Sequence, residues 1–352
     1  MRVTALLLAI FLVIGLLSAC GNAEEPTVTQ SGNETTTMTE VVTTTSTSAS
    51  TSRTTSPTRK TTTTTSATTS TTATTTTTTK PVGASWYKDA TWNEDGVLKI
   101  LAIGNSFSED SLKYVVDVAA SAGIYQVQWG NMYIGGCSLA THLQNAKDDS
   151  PSYTYYKTTN WNRKTLKSYK LSDAVKDEDW DFVTFQQAST YSRKAETYDD
   201  LEELVNIIAP LCTNPKVELA WHMTWAYQAG YASVTHHDAQ MEMYNGIVSA
   251  VQSKVLPNEK ITKLIPNGTA IQNARSSYMG DVFNRDGYHL SLDTGRLIAA
   301  MTYVHALVGI DWKTFDYEGI AYIYPNKTFP YLAADSVKNA VDSPFKVTQS
   351  SF

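Results

Sequence analysis

Cysteine is scarce, three in 352 residues, which excludes a disulfide-built scaffold and any cysteine-rich metal centre. Basic excess is also lacking: 28 Lys and Arg face 34 Asp and Glu, giving a net charge of −6. Binding of a phosphate backbone needs clustered Lys and Arg, so nucleic acid is not expected as a partner. Beyond the first twenty residues no uncharged apolar run approaches the ~18 residues that span a bilayer. Aromatics, by contrast, are plentiful, with 20 tyrosines and 8 tryptophans.

The chain divides by composition. Residues 1–20 open with Met1-Arg2, continue through an apolar run from Leu6 to Leu17, and end in Leu17-Ser18-Ala19-Cys20. Such a segment reads as a secretory signal. Its end resembles the bacterial lipobox, in which the cysteine is acylated and becomes the mature N-terminus. Cys20 is therefore expected to carry lipid and to hold the protein on the outer side of a membrane. Residues 21–80 are expected to form a disordered linker. From Arg53 to Thr79 every residue is Ser or Thr except Arg53, Pro57, Arg59, Lys60, Ala67 and Ala73. A tract with so little to bury cannot offset the entropy of folding, so it serves as a spacer. Residues 81–352 remain as the folded domain.

Within that domain, short apolar runs rich in β-branched residues predict buried parallel strands: Val97–Ile103, Phe182–Phe185, Val217–Trp221 and Leu264–Pro266. Apolar residues at helical spacing predict helices over Ser111–Ala122, Leu201–Leu211, Met241–Val255 and, as the final helix, Arg296–Leu307. Alternating strands and helices imply an α/β fold, a three-layer α/β/α sandwich with a mostly parallel sheet. Pro151–Lys176, rich in Tyr and Lys, reads as an insertion. In such sheets the ligand sits beyond the C-terminal strand ends.

Two sites at strand or helix ends carry chemistry. The first strand runs into Gly104-Asn105-Ser106-Phe107-Ser108. A glycine before a serine at a strand-to-helix turn exposes the hydroxyl as a nucleophile requires; Ser106 or Ser108 would equally serve as a helix N-cap. Near the other end, Asp286-Gly287-Tyr288-His289 sets a carboxylate one turn from an imidazole. The carboxylate can then orient the ring while the far nitrogen takes a proton. A histidine base predicts activity that falls toward acidic pH.

With these blocks the chain resembles the SGNH (GDSL-like) hydrolase superfamily, over most of residues 97–309, and in particular a bacterial lipoprotein branch sharing the Gly-Asn-Ser-Phe-Ser start and a Gln-Gln block. The resemblance implies a flavodoxin-like α/β/α fold with Ser106 as nucleophile, His289 as general base and then acid, and Asp286 as the orienting group. It implies an oxyanion site built from the Ser106 N–H and from Gly135 or Gly136 in Ile134-Gly135-Gly136-Cys137. Where the superfamily has Gly-x-Asn-Asp, this chain has Gln186-Gln187-Ala188-Ser189. A Gln amide is the same donor on a longer arm, so Gln186 or Gln187 is expected to complete the oxyanion site.

Trp225, His222 and Asn105 are the candidate substrate contacts, with core packing as the alternative for Trp225 and a hydrogen-bonded structural role for His222. His236-His237-Asp238 does not suggest a metal site, because adjacent side chains point apart. Cys137 and Cys212 are compatible with a disulfide or with two free thiols. No metal or organic cofactor is implied. The expected function is a surface-anchored serine esterase removing acetyl or other short acyl groups from carbohydrate. A lipid or thioester acyl hydrolase on the same triad, or a glycan-binding surface protein without turnover, are the rivals.

Overall fold

In the computed structural model residues 95–352 are described. The expected signal segment, Cys20 and the Thr/Ser-rich linker lie outside the described residues, as do residues 81–94. The chain order is β1 (Leu98–Gly104), α1 (Ser106–Leu112), α2 (Val115–Ser121), β2 (Val127–Tyr133), α3 (Leu139–Lys147), β3 (Tyr153–Thr159), β4 (Asn162–Tyr169), α4 (Leu171–Lys176) and β5 (Phe182–Phe185). It continues with α5 (Leu201–Ile208), β6 (Glu218–His222), α6 (His237–Ala250), β7 (Ile261–Ile265), α7 (Asn267–Arg275), α8 (Thr294–Val308) and α9 (Phe329–Asp342).

The strands form one sheet in the order β4-β3-β2-β1-β5-β6-β7. The five strands from β2 to β7 are parallel, and β3 and β4 add an antiparallel edge. The order of the parallel part is the flavodoxin-like doubly wound order, whose reversal falls at β1. Alternation along β1 serves both layers. Leu98, Ile100 and Ala102 join the core under α1, α2, α7, α8 and α9, whereas Leu101 and Ile103 join the core under α3, α4, α5 and α6. At ~25 cal/mol per Å² of apolar surface removed from water, burial on both faces is what holds the three layers together.

Three sequence expectations change. Ser111–Ala122 is two helices rather than one, broken at Lys113 and Tyr114. Pro151–Lys176 is not a free insertion; most of it is β3 and β4, which prolong the sheet beyond β2. The helix over Arg296–Leu307 is not the last, because α9 follows and packs Phe329, Leu332, Ala333, Val337 and Val341 into the same core as α8. Among the described residues no helix is long and apolar enough to cross a membrane.

Candidate active site

Ser106 stands at the C-terminal end of β1, as the first residue of α1. Its position is built by Asn105, the N-cap, whose Oδ1 accepts the Phe107 N–H at 2.9 Å. Gly104 precedes it, and the reason is close approach rather than an unusual backbone. A Cβ there would lie 2.5 Å from Ser108 Oγ and 2.7 Å from Gln186 Oε1. Being first in the helix, Ser106 has a backbone N–H with no intrahelical acceptor.

Asp286 organises its own loop. Oδ1 accepts the His289 N–H at 2.8 Å and the Tyr288 N–H at 3.3 Å, a local carboxylate turn that aims Oδ2 at the ring. Oδ2 lies 2.7 Å from His289 Nδ1, and His289 Nε2 lies 2.8 Å from Ser106 Oγ. A carboxylate only accepts, so Nδ1 carries the proton and the Nε2 lone pair faces the serine hydroxyl. Desolvation raises the Asp286 pKa, but the hydrogen bonds from the His289 ring and from the His289 and Tyr288 N–H groups outweigh it. They hold the carboxyl below its usual range.

One residue that sequence reasoning missed pins this loop to α1. Asp110, 1 % exposed, accepts from Arg285 Nη1 at 3.0 Å, from Arg296 Nε at 2.9 Å and from the Leu290 N–H at 2.9 Å. Arg285 also donates to the Leu290 carbonyl. One buried carboxylate on the helix that begins with Ser106 thus clamps both sides of His289. Its partners lie 175 to 186 residues along the chain, so no local sequence pattern announces it.

Ser106 and His289 open on a cleft of ≈ 520 Å³. Gly135 and Gly136 form one wall, in a turn closed by the Cys137 N–H on the Ile134 carbonyl, with Gly136 at φ +64°. Asn105 Nδ2 donates to the Cys137 carbonyl at 3.1 Å, so the N-cap of α1 also fixes that turn. Tyr133, Tyr227, Tyr231 and Tyr288 supply the aromatic walls, none of which the sequence singled out. Tyr231 stacks on Tyr288 with centroids 5.3 Å apart, and Tyr288 leans on His289 at 3.9 Å. Gly287, at φ +89°, is required there, because a Cβ would run into the Tyr231 ring.

The remaining candidates are corrected. Gln186 donates Nε2 to Asn105 Oδ1 at 2.9 Å, and its Oε1 faces His222 Nδ1 at 3.3 Å. Gln187 donates to the Thr197 carbonyl at 2.7 Å and accepts from the Ala188 and Leu139 N–H groups. Both amides are buried and engaged away from the cleft wall, so the structure assigns neither to an oxyanion site. Asn105 touches the cleft, but its amide is a strut joining Phe107, Cys137 and Gln186. His222 is 1 % exposed, with Nε2 2.9 Å from Asn267 Nδ2. Burial pushes its pKa down to about 3, so it is a neutral structural histidine rather than a substrate contact. Trp225 is fully buried, stacked on Phe107 at 4.3 Å and donating to the Tyr288 carbonyl at 2.7 Å. It supports the cleft from behind and does not face it.

Among the described residues no group of three or more His, Cys, Asp or Glu is arranged around a metal position. His236 caps α6 by accepting the Ala239 N–H. Cys137 and Cys212 are unbonded, and burial raises their thiols to about 12 and about 11.

Fold and site together describe an α/β/α protein with a serine, a histidine and an aspartate in hydrogen-bond contact at the C-terminal edge of a parallel sheet. The chain belongs to the DUF4886 family, described as a domain of unknown function, whose model matches residues 99–321. A family member from Bacteroides uniformis with a crystal structure is 39% identical, over 72% of this chain and 98% of that one, with a TM-score of 0.65. Weaker likenesses include an acetylxylan esterase from Geobacillus stearothermophilus. It is 14% identical over 61% of this chain and 95% of its own, at a TM-score of 0.42. A GDSL-like lipase from Bacteroides thetaiotaomicron is 9% identical over 58% and 84%, at 0.35. No curated protein matches the chain.

Proposed function

We propose that this chain is an exported, lipid-anchored serine esterase of the SGNH type, removing acetyl or similarly short acyl groups from carbohydrate. The observation that carries the reading is the unbroken relay Asp286 Oδ2 to His289 Nδ1 at 2.7 Å and His289 Nε2 to Ser106 Oγ at 2.8 Å. Both distances are those of charge-assisted or strong neutral hydrogen bonds that need no rearrangement before chemistry.

In the proposed reaction Ser106 Oγ attacks the ester carbonyl as His289 Nε2 takes its proton. The N–H groups of Ser106 and of Gly135 or Gly136 face the oxygen that gains charge. The sugar alkoxide leaves with the proton from Nε2, and the acyl group stays on Ser106. Water then gives a proton to Nε2 and attacks the acyl-enzyme, releasing the acid and restoring the serine hydroxyl. The four tyrosines of the cleft support a ring-shaped leaving group, since they offer flat faces and hydroxyl tips.

Asp286→Asn is expected to lower kcat on an activated acetyl ester by about 10²- to 10⁴-fold while KM changes little, because the neutral amide no longer holds the ring tautomer. An unchanged kcat would remove Asp286 from the relay. The substrate class is tested by acetate release from acetylated polysaccharides beside a series of longer acyl esters. A preference for long chains would replace the carbohydrate reading by a lipid one. Anchoring through Cys20 is tested by Cys20→Ala, expected to move the protein from the membrane fraction into the medium; retention on the membrane would contradict it.

A further inference from the structure

A second aromatic surface lies at the far end of β2. Trp161, in the β3–β4 turn, is 65% exposed, and Tyr125 and Tyr322 are 69% and 68% exposed. Large aromatic faces left open to water on one patch mark a binding surface rather than scattered side chains. Trp161 stands between two depressions, of ≈ 390 and ≈ 220 Å³, both of which it lines together with Asp117.

The rings are held in place before any ligand arrives. Trp161 Nε1 donates to Asp117 Oδ1 at 3.0 Å, and Tyr322 Oη donates to the same oxygen at 2.7 Å. The turn itself is fastened to the start of β2, where Asn160 Oδ1 accepts the Val127 N–H at 2.9 Å and the Asn160 N–H reaches the Val127 carbonyl at 2.7 Å. A fixed aromatic plate loses little conformational freedom on binding. The larger depression is lined by Asp117 and Asp316 and by no basic residue, and the smaller, which includes Tyr322, by Asp117, Asn160, Lys113 and Arg163, a mixed polar lining that suits a ligand made of hydroxyl groups.

A line of packed side chains, with Trp129 buried beneath it, runs from this patch toward the cleft. Trp129 and Tyr133 of β2, Tyr156 of β3 and Arg163 of β4 share one face by their pairing register. Arg163 lies over the Tyr156 ring at 3.9 Å and is paired with Glu109 of α1, and Tyr156 packs against Tyr133, which lines the catalytic cleft. Seven residues of β2 span about 20 Å at ~3.3 Å per residue.

We infer that the Trp161–Asp117–Tyr322 surface is a second saccharide-binding subsite. It holds a neighbouring stretch of a polymeric, hydroxyl-rich glycan while one acyl group of the same chain lies at Ser106. The inference rests on the carbohydrate reading above, and makes the substrate a polymer rather than a free acetylated sugar. Trp161 is a binding residue here and takes no part in bond making.

The test uses the whole protein and three probes: soluble acetylated xylan, acetylated glucomannan and acetylated pectin. Affinity is read with the Ser106→Ala variant and acetate release with the active protein. Trp161→Ala should weaken affinity for the preferred polymer about tenfold or more and raise KM for its deacetylation by a like factor. Trp161→Phe, which keeps a flat face, should recover most of both. Hydrolysis of a small activated acetyl ester should be unchanged in both variants, which also shows that they fold. Equal polymer affinity in Trp161→Ala and the parent, or no polymer bound by the parent, overturns the subsite. A matching loss on the small ester also overturns it, since the effect is then structural. Polymer binding that depends on Trp161, with no acetate released from any probe and no hydrolysis of the small ester by the parent, upholds the subsite and instead refutes the esterase reading.

Discussion

Ser106→Ala lowers the rate of hydrolysis of an activated acetyl ester by about 10³-fold or more, on the proposed mechanism, with the fold and thermal midpoint intact. The size follows from what the hydroxyl does. In the proposed mechanism it is the atom that forms the acyl bond, and no neighbour replaces it. Ser108, two residues on, is buried, its single O–H shared between the Asn105 carbonyl at 2.7 Å and Asn131 Oδ1 at 2.9 Å. Cys137 is not a substitute either, since burial pushes its thiol pKa up to about 12, far from the thiolate a nucleophile needs. Parent-like turnover in a folded Ser106→Ala protein would remove the serine from the chemistry. Steady-state kinetics with a chromogenic acetate ester, beside a circular-dichroism melt, decides it.

The second large effect concerns a residue that touches no substrate. Asp110→Ala takes away the one acceptor shared by Arg285, Arg296 and the Leu290 N–H. Removing one partner of a buried ion pair costs about 3–5 kcal/mol. Arg285 and Arg296 keep side-chain exposures of 31% and 17%, so water solvates part of what is lost and a value near ~3 kcal/mol is expected. The loop from Arg285 to Leu290 then loosens against α1, and His289 no longer meets Ser106 in a fixed geometry. Misplacement by about 1 Å costs on the order of 10²-fold in rate. Asp110→Asn, which keeps one acceptor oxygen, should fall between. Urea titration and kcat are the measurements; unchanged stability and unchanged kcat in Asp110→Ala would show that the clamp holds nothing.

What the sequence revealed was local. The β1 run, Phe182–Phe185, Leu201–Leu211 and Arg296–Leu307 all announce themselves by period, and each lies where the pattern put it to within a few residues. Gly104-Asn105-Ser106 and Asp286-Gly287-Tyr288-His289 are each contained within four residues. The sheet order then brings the two segments together, although Ser106 and His289 are 183 residues apart. β3 and β4 were unreadable as sheet because β4, the edge strand, is almost wholly exposed and polar, and β3, although it buries Tyr153, Tyr155 and Thr158, is written in Tyr, Thr and Lys with no aliphatic residue.

The errors share one cause. Gln186, Gln187, His222 and Trp225 lie at or just after strand ends, where ligands gather, but which way a side chain points is decided by tertiary partners. Gln186 turns to Asn105, Gln187 to Thr197, His222 to Asn267 and Trp225 to Phe107. The cleft instead takes its walls from tyrosines spread over Tyr133 to Tyr288, whose convergence only the fold produces.

A single labelling experiment addresses the central claim. The full-length protein is treated with a fluorophosphonate, which phosphonylates only an activated serine, and the modified peptide is identified by mass. The account predicts one stoichiometric adduct on Ser106 that is lost in His289→Ala. An unlabelled protein, or a label on another serine that persists in His289→Ala, would contradict it.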